Sequence, residues 1–301
     1  MQISKVTGIK WIAGGLLFAI LWPSASTATK AGLTVAQPLV IAIVRFALAA
    51  AILLFIAHAI RGSRLPEGIE WKQIAIYGLL NITIYLGCYV IAMQTVTAGI
   101  GSLAVATNPV FISFLSVFFL KEKLQWPVVL SLLICTVGVI CAAFPLFSNA
   151  TVTFAGLLLL LFSMLCYSAA AIYFSSRKWN NLSLLTINGW QTLLGGSFLL
   201  PVALLFYKPE QNHYTKTFWL SVSWLAVPVS VIAVQLWLWL LSISPVKASL
   251  WLFLCPLFGF LIAACWLGDG ISMYTITGIA FVITGLLLSK ENMRKNDVVF
   301  D

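Results

Sequence analysis

The chain has 301 residues, a mean hydropathy of +1.04 and a formal charge of +9, with 61% hydrophobic and only 8% charged side chains. A soluble domain wets its surface with about 25% charged residues. This composition excludes a water-soluble globule and makes lipid the solvent for most of the surface.

About 20 apolar residues, rising 1.5 Å each, cross a bilayer, and on that measure the sequence predicts ten spanning helices. Long Leu-, Ala- and Ile-rich runs without period-two alternation predict helices rather than barrel strands. The first, 9–28, contains Trp22 and is read as a retained span, not a cleaved leader. The second, 38–60, holds Arg45 about seven residues in, roughly 10 Å deep at 1.5 Å per residue. An unpaired charge there is costly. It either meets a substrate carboxylate or snorkels towards the interface and helix-end carbonyls. The third, 72–93, places Asn81, Tyr85 and Tyr89 at four-residue spacing, one face of a helix. The fourth, 98–120, carries Asn108 and then Pro109, whose missing N–H frees a carbonyl in the preceding turn and can kink the helix. The fifth covers 126–146.

The sixth span, 152–174, contains Tyr167; the seventh, 184–206, contains Trp190 and Gln191; the eighth, 217–241, contains Gln235. Trp237 and Trp239 follow, with lipid as one possible surrounding. The ninth, 245–268, carries Trp251 and Pro256, and the tenth covers 271–289. Amides, phenols and indoles together suit a cavity for an amphipathic small molecule. Each residue taken singly fits ordinary helix–helix hydrogen bonding equally well.

Basic residues orient the spans. Of 17 Lys and Arg, all but four fall on the side of the N-terminus, the exceptions being Lys30, Lys208 and Lys216 outside and Arg45 within a span. This is the positive-inside pattern for a cell-membrane protein with both termini cytoplasmic. The basic charge is thus a topology signal, and no nucleic-acid partner is expected. The six cysteines lie in apolar spans without a C-x-x-C pair, so no metal and no cofactor is expected. No nucleophile elbow or phosphate-cradling loop is present, and an enzyme is not expected.

The chain also repeats. Residues 97–124 align without gaps on 244–271, so that Ser102 meets Ser249, Pro109 meets Pro256 and Glu122 meets Asp269, all at an offset of 147. Five spans per half is an odd number, so the second half, 148–301, enters the membrane upside down relative to the first, 1–147. The expected fold is therefore all-α and polytopic, ten transmembrane helices as two inverted five-helix repeats. Such repeats give two nearly equivalent conformations, one open to each side, with the binding site at mid-depth. Pro109 and Pro256 are the expected helix hinges.

With LLFAILWPSASTATKAG, VRFALAA, Tyr89-Val90-Ile91-Ala92-Met93 and the 98–124 stretch repeated at 244–271, the sequence resembles EamA-type carriers of the drug/metabolite transporter superfamily over 9–289. The resemblance implies that spans one to four and six to nine line a central cavity, and that the cargo is an amino acid or similar metabolite, moved outward. Trp22-Pro23-Ser24 departs from a pattern with Gly after the Trp and leaves the local geometry open. An importer or exchanger of a nucleotide-related compound or carboxylate, and a non-transporting scaffold, are the alternatives; a monomer is compatible with the pattern. All eight acids lie at span ends, loops or the tail, and His58 and His213 also sit near ends. Transport without obligatory proton coupling through a carboxylate, as facilitated diffusion or exchange, is expected.

Overall fold

The structure is a computed structural model that describes residues 8–121, 126–149 and 153–267, and 273–274, 276–278, 280–285 and 288 of the last segment. The Glu122–Asp269 equivalence lies outside the described residues. Among the described residues ten helical segments follow one another: α1 (Ile9–Leu33), α2 (Pro38–Ile60), α3 (Ile69–Ala92), α4 (Ala98–Phe119), α5 (Trp126–Asn149), α6 (Phe154–Ser176), α7 (Leu184–Leu205), α8 (Lys216–Ile243), α9 (245–267) and α10 (Ile276–Gly285). The chain is an all-α multi-pass membrane protein. Large apolar side chains such as Phe114, Phe118, Phe162 and Phe198 face outward, whereas Asn81, Asn108, Asn188 and Gln191 are buried. That polarity is the one expected of a bundle dissolved in lipid.

Local chemistry sets the ends. Thr97, Thr153, Ser183 and Ser244 each accept a backbone N–H of the first turn of α4, α6, α7 and α9, satisfying a donor the helix leaves orphaned. In the α2–α3 connection, Gly62 and Gly68 adopt positive φ (56° and 48°), which a side chain would strain. α1 runs to Leu33, beyond the expected 28, after a turn at Trp22-Pro23 that separates its two halves. Lys30 accordingly sits in the helix instead of in a loop.

Equivalent spans meet antiparallel, as a two-fold axis in the bilayer plane requires. The first half of α4 packs on the second half of α9, and the second half of α4 on the first half of α9. At the crossing the two helices carry matching 3₁₀ turns, Val105–Thr107 and Leu250–Leu254. Pro109 and Pro256 cannot donate to the carbonyls of Val105 and Leu252. Those carbonyls instead accept from Asn108 and Cys255, one residue earlier, and this shortened bond is the 3₁₀ turn. The expected free carbonyl is therefore captured, and the proline tightens the helix in place of leaving an acceptor open.

α5 and α10 obey the same axis. The Cys135 thiol reaches the carbonyl of Val282, the residue 147 positions on, at 3.6 Å. A side chain on Gly138 would strike the Gly278 carbonyl, and one on Gly285 the Ser131 carbonyl, a reciprocal pair of close approaches. The third span of each half also matches: α3 and α8 contain π-helical segments, Leu79–Ile84 and Leu225–Ala233.

α2 and α7 are tied together at both ends. At one end the Gln37 amide N donates to the Asn212 side-chain oxygen (2.9 Å), the Gln37 side chain donates to the Phe206 carbonyl (2.9 Å) and the Lys208 amide donates back to it (2.8 Å). At the other, Arg64 in the α2–α3 connection holds Glu70 through two bonds of 2.7 Å and donates to the Asn180 carbonyl before α7. The hydrogen bond to Glu70 raises the Arg64 pKa above its ordinary value, so the guanidinium stays charged.

α3 crosses α7 where glycine permits it. A methyl group on Gly78 would lie 2.6 Å from the Gln191 carbonyl oxygen, inside α7 backbone that cannot yield. Gly78→Val is expected to cost about 1–3 kcal/mol by overpacking and to lower the thermal unfolding midpoint in detergent, whereas Ala51→Val on the exposed face of α2 leaves it unchanged. Equal midpoints for the two variants would show that the α3–α7 contact is looser than described.

Candidate functional site

A narrow cavity lies among α1, α2, α3, α4 and α8, lined by Trp22, Pro23, Ala25, Ser26, Arg45, Tyr85, Leu86, Tyr89, Ser102, Val105 and Val229. Its volume of about 10 Å³ holds about one water. A metabolite therefore enters only when the walls part.

Arg45 is the charged group of this cavity. It is 1% exposed, so it does not snorkel. Its Nε donates to the Ser230 hydroxyl at 2.8 Å, and its guanidinium carbon lies 5.6 Å from the centre of the Phe46 ring. Its Nη2 is buried with no hydrogen-bond partner among the described residues. The described acids Glu67, Glu70 and Glu210 belong to the chain connections or the first turn of α3, away from the cavity wall. The Ser102 hydroxyl, on the same wall, is also buried without a partner among the described residues.

An aromatic cluster backs the cavity. Tyr167 packs on Tyr85 (4.8 Å between ring centres), Trp22 (5.7 Å) and Trp237 (5.5 Å). Phe18 stacks on both Trp22 and Trp237. Trp237 is 1% exposed, so lipid is not its surrounding. Trp22, Arg45, Tyr85, Tyr89 and Tyr167 are thus brought to one place.

Asn81 is not with them. An i→i+5 turn holds more residues than an α turn, so across Leu79–Ile84 a four-residue step does not return to the same face. Asn81 instead donates to Gln191 (3.1 Å), Gln191 to Asn188 (3.2 Å), and Asn188 to the Ser230 carbonyl (3.1 Å). This buried chain ends on the residue that holds Arg45. Asn188 and Ser230 were not singled out in the sequence, where small polar residues in apolar helices are common; a π-helical register around Pro228 is what turns Ser230 inward.

The remaining candidates lie elsewhere. Asn108 is satisfied within α4–α6, accepting from Ser168 (3.1 Å) and donating to the Met164 sulfur (3.3 Å). Trp190 leaves the cavity altogether: it donates to His58 Nε2 at 3.1 Å and packs edge-on to Trp71, near the Arg64 end of α2. Trp251 lies flat where a side chain on Gly15 would be, between α9 and α1. Gln235 is half-buried, its side-chain oxygen unpartnered among the described residues, and lies outside the cavity wall. Pro109 and Pro256 sit beside the α4–α9 crossing rather than on the wall, although Val105 from that turn is part of it. A larger cavity of about 290 Å³ near the Gln37 end is lined by uncharged residues, among them Gln37, Gln94, Ile91 and Phe206. Among the described residues no cluster of His, Cys, Asp and Glu could hold a metal.

Ser230 and its chain position Arg45. Ser230→Ala leaves the Nε of a buried guanidinium unpaired, a loss of about 1–3 kcal/mol. The expected outcome is a lower unfolding midpoint in detergent, restored by Ser230→Thr; a midpoint equal to that of the parent chain would contradict the assigned bond.

The fold has a counterpart of known crystal structure with a TM-score of 0.77 over 94% of this chain and 97% of that one, at 18% sequence identity. Protein PecM of Dickeya dadantii is 27% identical over 277 residues, 90% of this chain and 89% of the relative. The uncharacterized inner membrane transporter YedA of Escherichia coli K12 is 28% identical over 91% of this chain and 87% of its own length. The uncharacterized transporter YdfC of Bacillus subtilis is 25% identical over 93% and 90%. The EamA-like transporter profile matches twice, at residues 9–144 and 154–290. With both halves covered, the chain belongs to the EamA-like transporter family and is a multi-pass membrane transporter.

Proposed function

We propose that the chain moves a small amphipathic metabolite by alternating access, holding its carboxylate at Arg45, and that the cargo is an amino acid carried outward across the cytoplasmic membrane. The single observation that supports this is Arg45: a buried guanidinium whose Nη2 has no partner among the described residues, facing a cavity it shares with Ser102, Tyr85 and Tyr89. A carboxylate there would satisfy a donor that is costly to leave unpaired. The aromatic cluster of Trp22, Tyr85 and Tyr167 supplies an apolar surface for the body of the cargo. In this reading the halves 1–147 and 148–301 rock about the α4–α9 crossing, with Pro109 and Pro256 as hinges, and both termini face the cytoplasm, where the basic residues collect.

A carboxylate lacking an ammonium group is the second reading. It is favoured by the cavity wall, where Arg45 meets hydroxyl, phenol and indole groups and no acid among the described residues.

Thermal stabilisation of the purified protein by each of the twenty L-amino acids tests both. The expected result is a hit whose carboxamide analogue fails to stabilise, with the effect weakened at least about tenfold in affinity by Arg45→Lys, because an ammonium cannot reproduce the bidentate fork, and lost in Arg45→Gln. An analogue without the ammonium that binds as well as the parent favours the second reading. Equal binding of acid and amide would refute the carboxylate contact, and no hit among amino acids would remove them as cargo.

A further inference from the structure

Arg45 also bears on how the carrier turns over, and this inference rests on its reading as the partner of a carboxylate. Net one-way transport requires the protein to pass through a closed arrangement twice per cycle, once with cargo and once without. In the closed geometry described above, Arg45 is 1% exposed, one N–H is held by Ser230, and Nη2 has no partner among the described residues. The groups around it on the wall are neutral: Trp22, Ser26, Tyr85, Tyr89 and Ser102. The cavity is too small for a shell of water, holding about one molecule.

When the cavity opens to either side, water solvates the guanidinium. Closing without cargo strips that water and returns nothing in exchange, which is the unfavourable case for a buried charge. Closing on a carboxylate replaces water with an opposite charge and two strong hydrogen bonds. The closed state is thus accessible with cargo bound and disfavoured without it. Ser230 adds to the contrast, because its bond through the Asn188–Gln191–Asn81 chain keeps Arg45 at the cavity and away from either interface.

We infer that the protein is an exchanger: a carboxylate released on one side is replaced by another before the carrier returns. Each crossing then carries a paired charge, and the direction of net movement follows the two solute gradients.

The experiment uses the full chain in proteoliposomes loaded with the twenty radiolabelled L-amino acids and diluted into the same buffer, either free of amino acids or containing them unlabelled. Efflux at least about tenfold faster with external amino acids is expected, a barrier difference of about 1.4 kcal/mol. Arg45→Lys keeps the charge and retains this ratio, and Arg45→Gln, which no longer holds the carboxylate, loses carrier-mediated efflux under both external conditions. Efflux that needs Arg45 yet proceeds equally fast under both external conditions overturns exchange and leaves the carboxylate reading standing. Efflux that is absent, or indifferent to Arg45→Gln, overturns the carboxylate reading and the exchange inference with it. If Arg45→Gln does not fold, the parent chain and Arg45→Lys decide the question by the same ratio.

Discussion

Lipid offers no hydrogen bonds, so a polar group inside this bundle is paired by the protein or left unpaired at considerable cost. Most buried polar side chains here meet that demand locally. Ser24, Ser26, Ser163 and Ser249 each bond the carbonyl three residues back. Asn108 is matched across α4 and α6. Against that background Arg45 stands out by its charge: a run of four buried partners holds the Nε of its guanidinium, while Nη2 has no partner among the described residues.

The same constraint explains how the helices depart from regularity. A proline in mid-span deprives a carbonyl of its donor, and the bundle has no solvent to supply another. α4 and α9 solve this identically, by tightening one turn, and their tightened turns lie against each other. α8 accommodates Pro228 by the opposite device, a wider turn, and α3 carries a wider turn at the matching place without a proline. The irregular turns of α8 and α9 therefore mirror those of α3 and α4, and the wide turns of α3 and α8 adjoin residues of the cavity.

Much of this was legible beforehand. Ten spans follow from apolar run length, and the α4–α9 equivalence from two prolines at one offset. Arg45 was visible because charge is scarce in such a sequence. Part of what escaped comes from direction around a helix axis, which is read from a fixed period that the π-helical segments change. Asn81 and Tyr85 are one turn apart in an α-helix but serve different partners here. Ser230 lies within the wide turn of α8 and Trp237 just beyond it, and both are buried inside the bundle. Trp190 shares an interior position in sequence with Gln191, but adjacent residues point about 100° apart on a helix, and only Gln191 joins the buried chain.

The fastenings between α2 and α7 differ in kind. One is built from neutral amides, Gln37 and Asn212, against main-chain groups; the other from a guanidinium and a carboxylate, Arg64 and Glu70, braced on the Asn180 carbonyl. Ionic strength acts on charges and hardly on amide contacts, and it reaches this pair through Arg64, which is 37% exposed, whereas Glu70 at 3% is shielded. A structure near-symmetric in backbone is therefore lopsided in its response to its surroundings: the electrolyte on one side of the membrane has a handle on the protein that the electrolyte on the other side lacks.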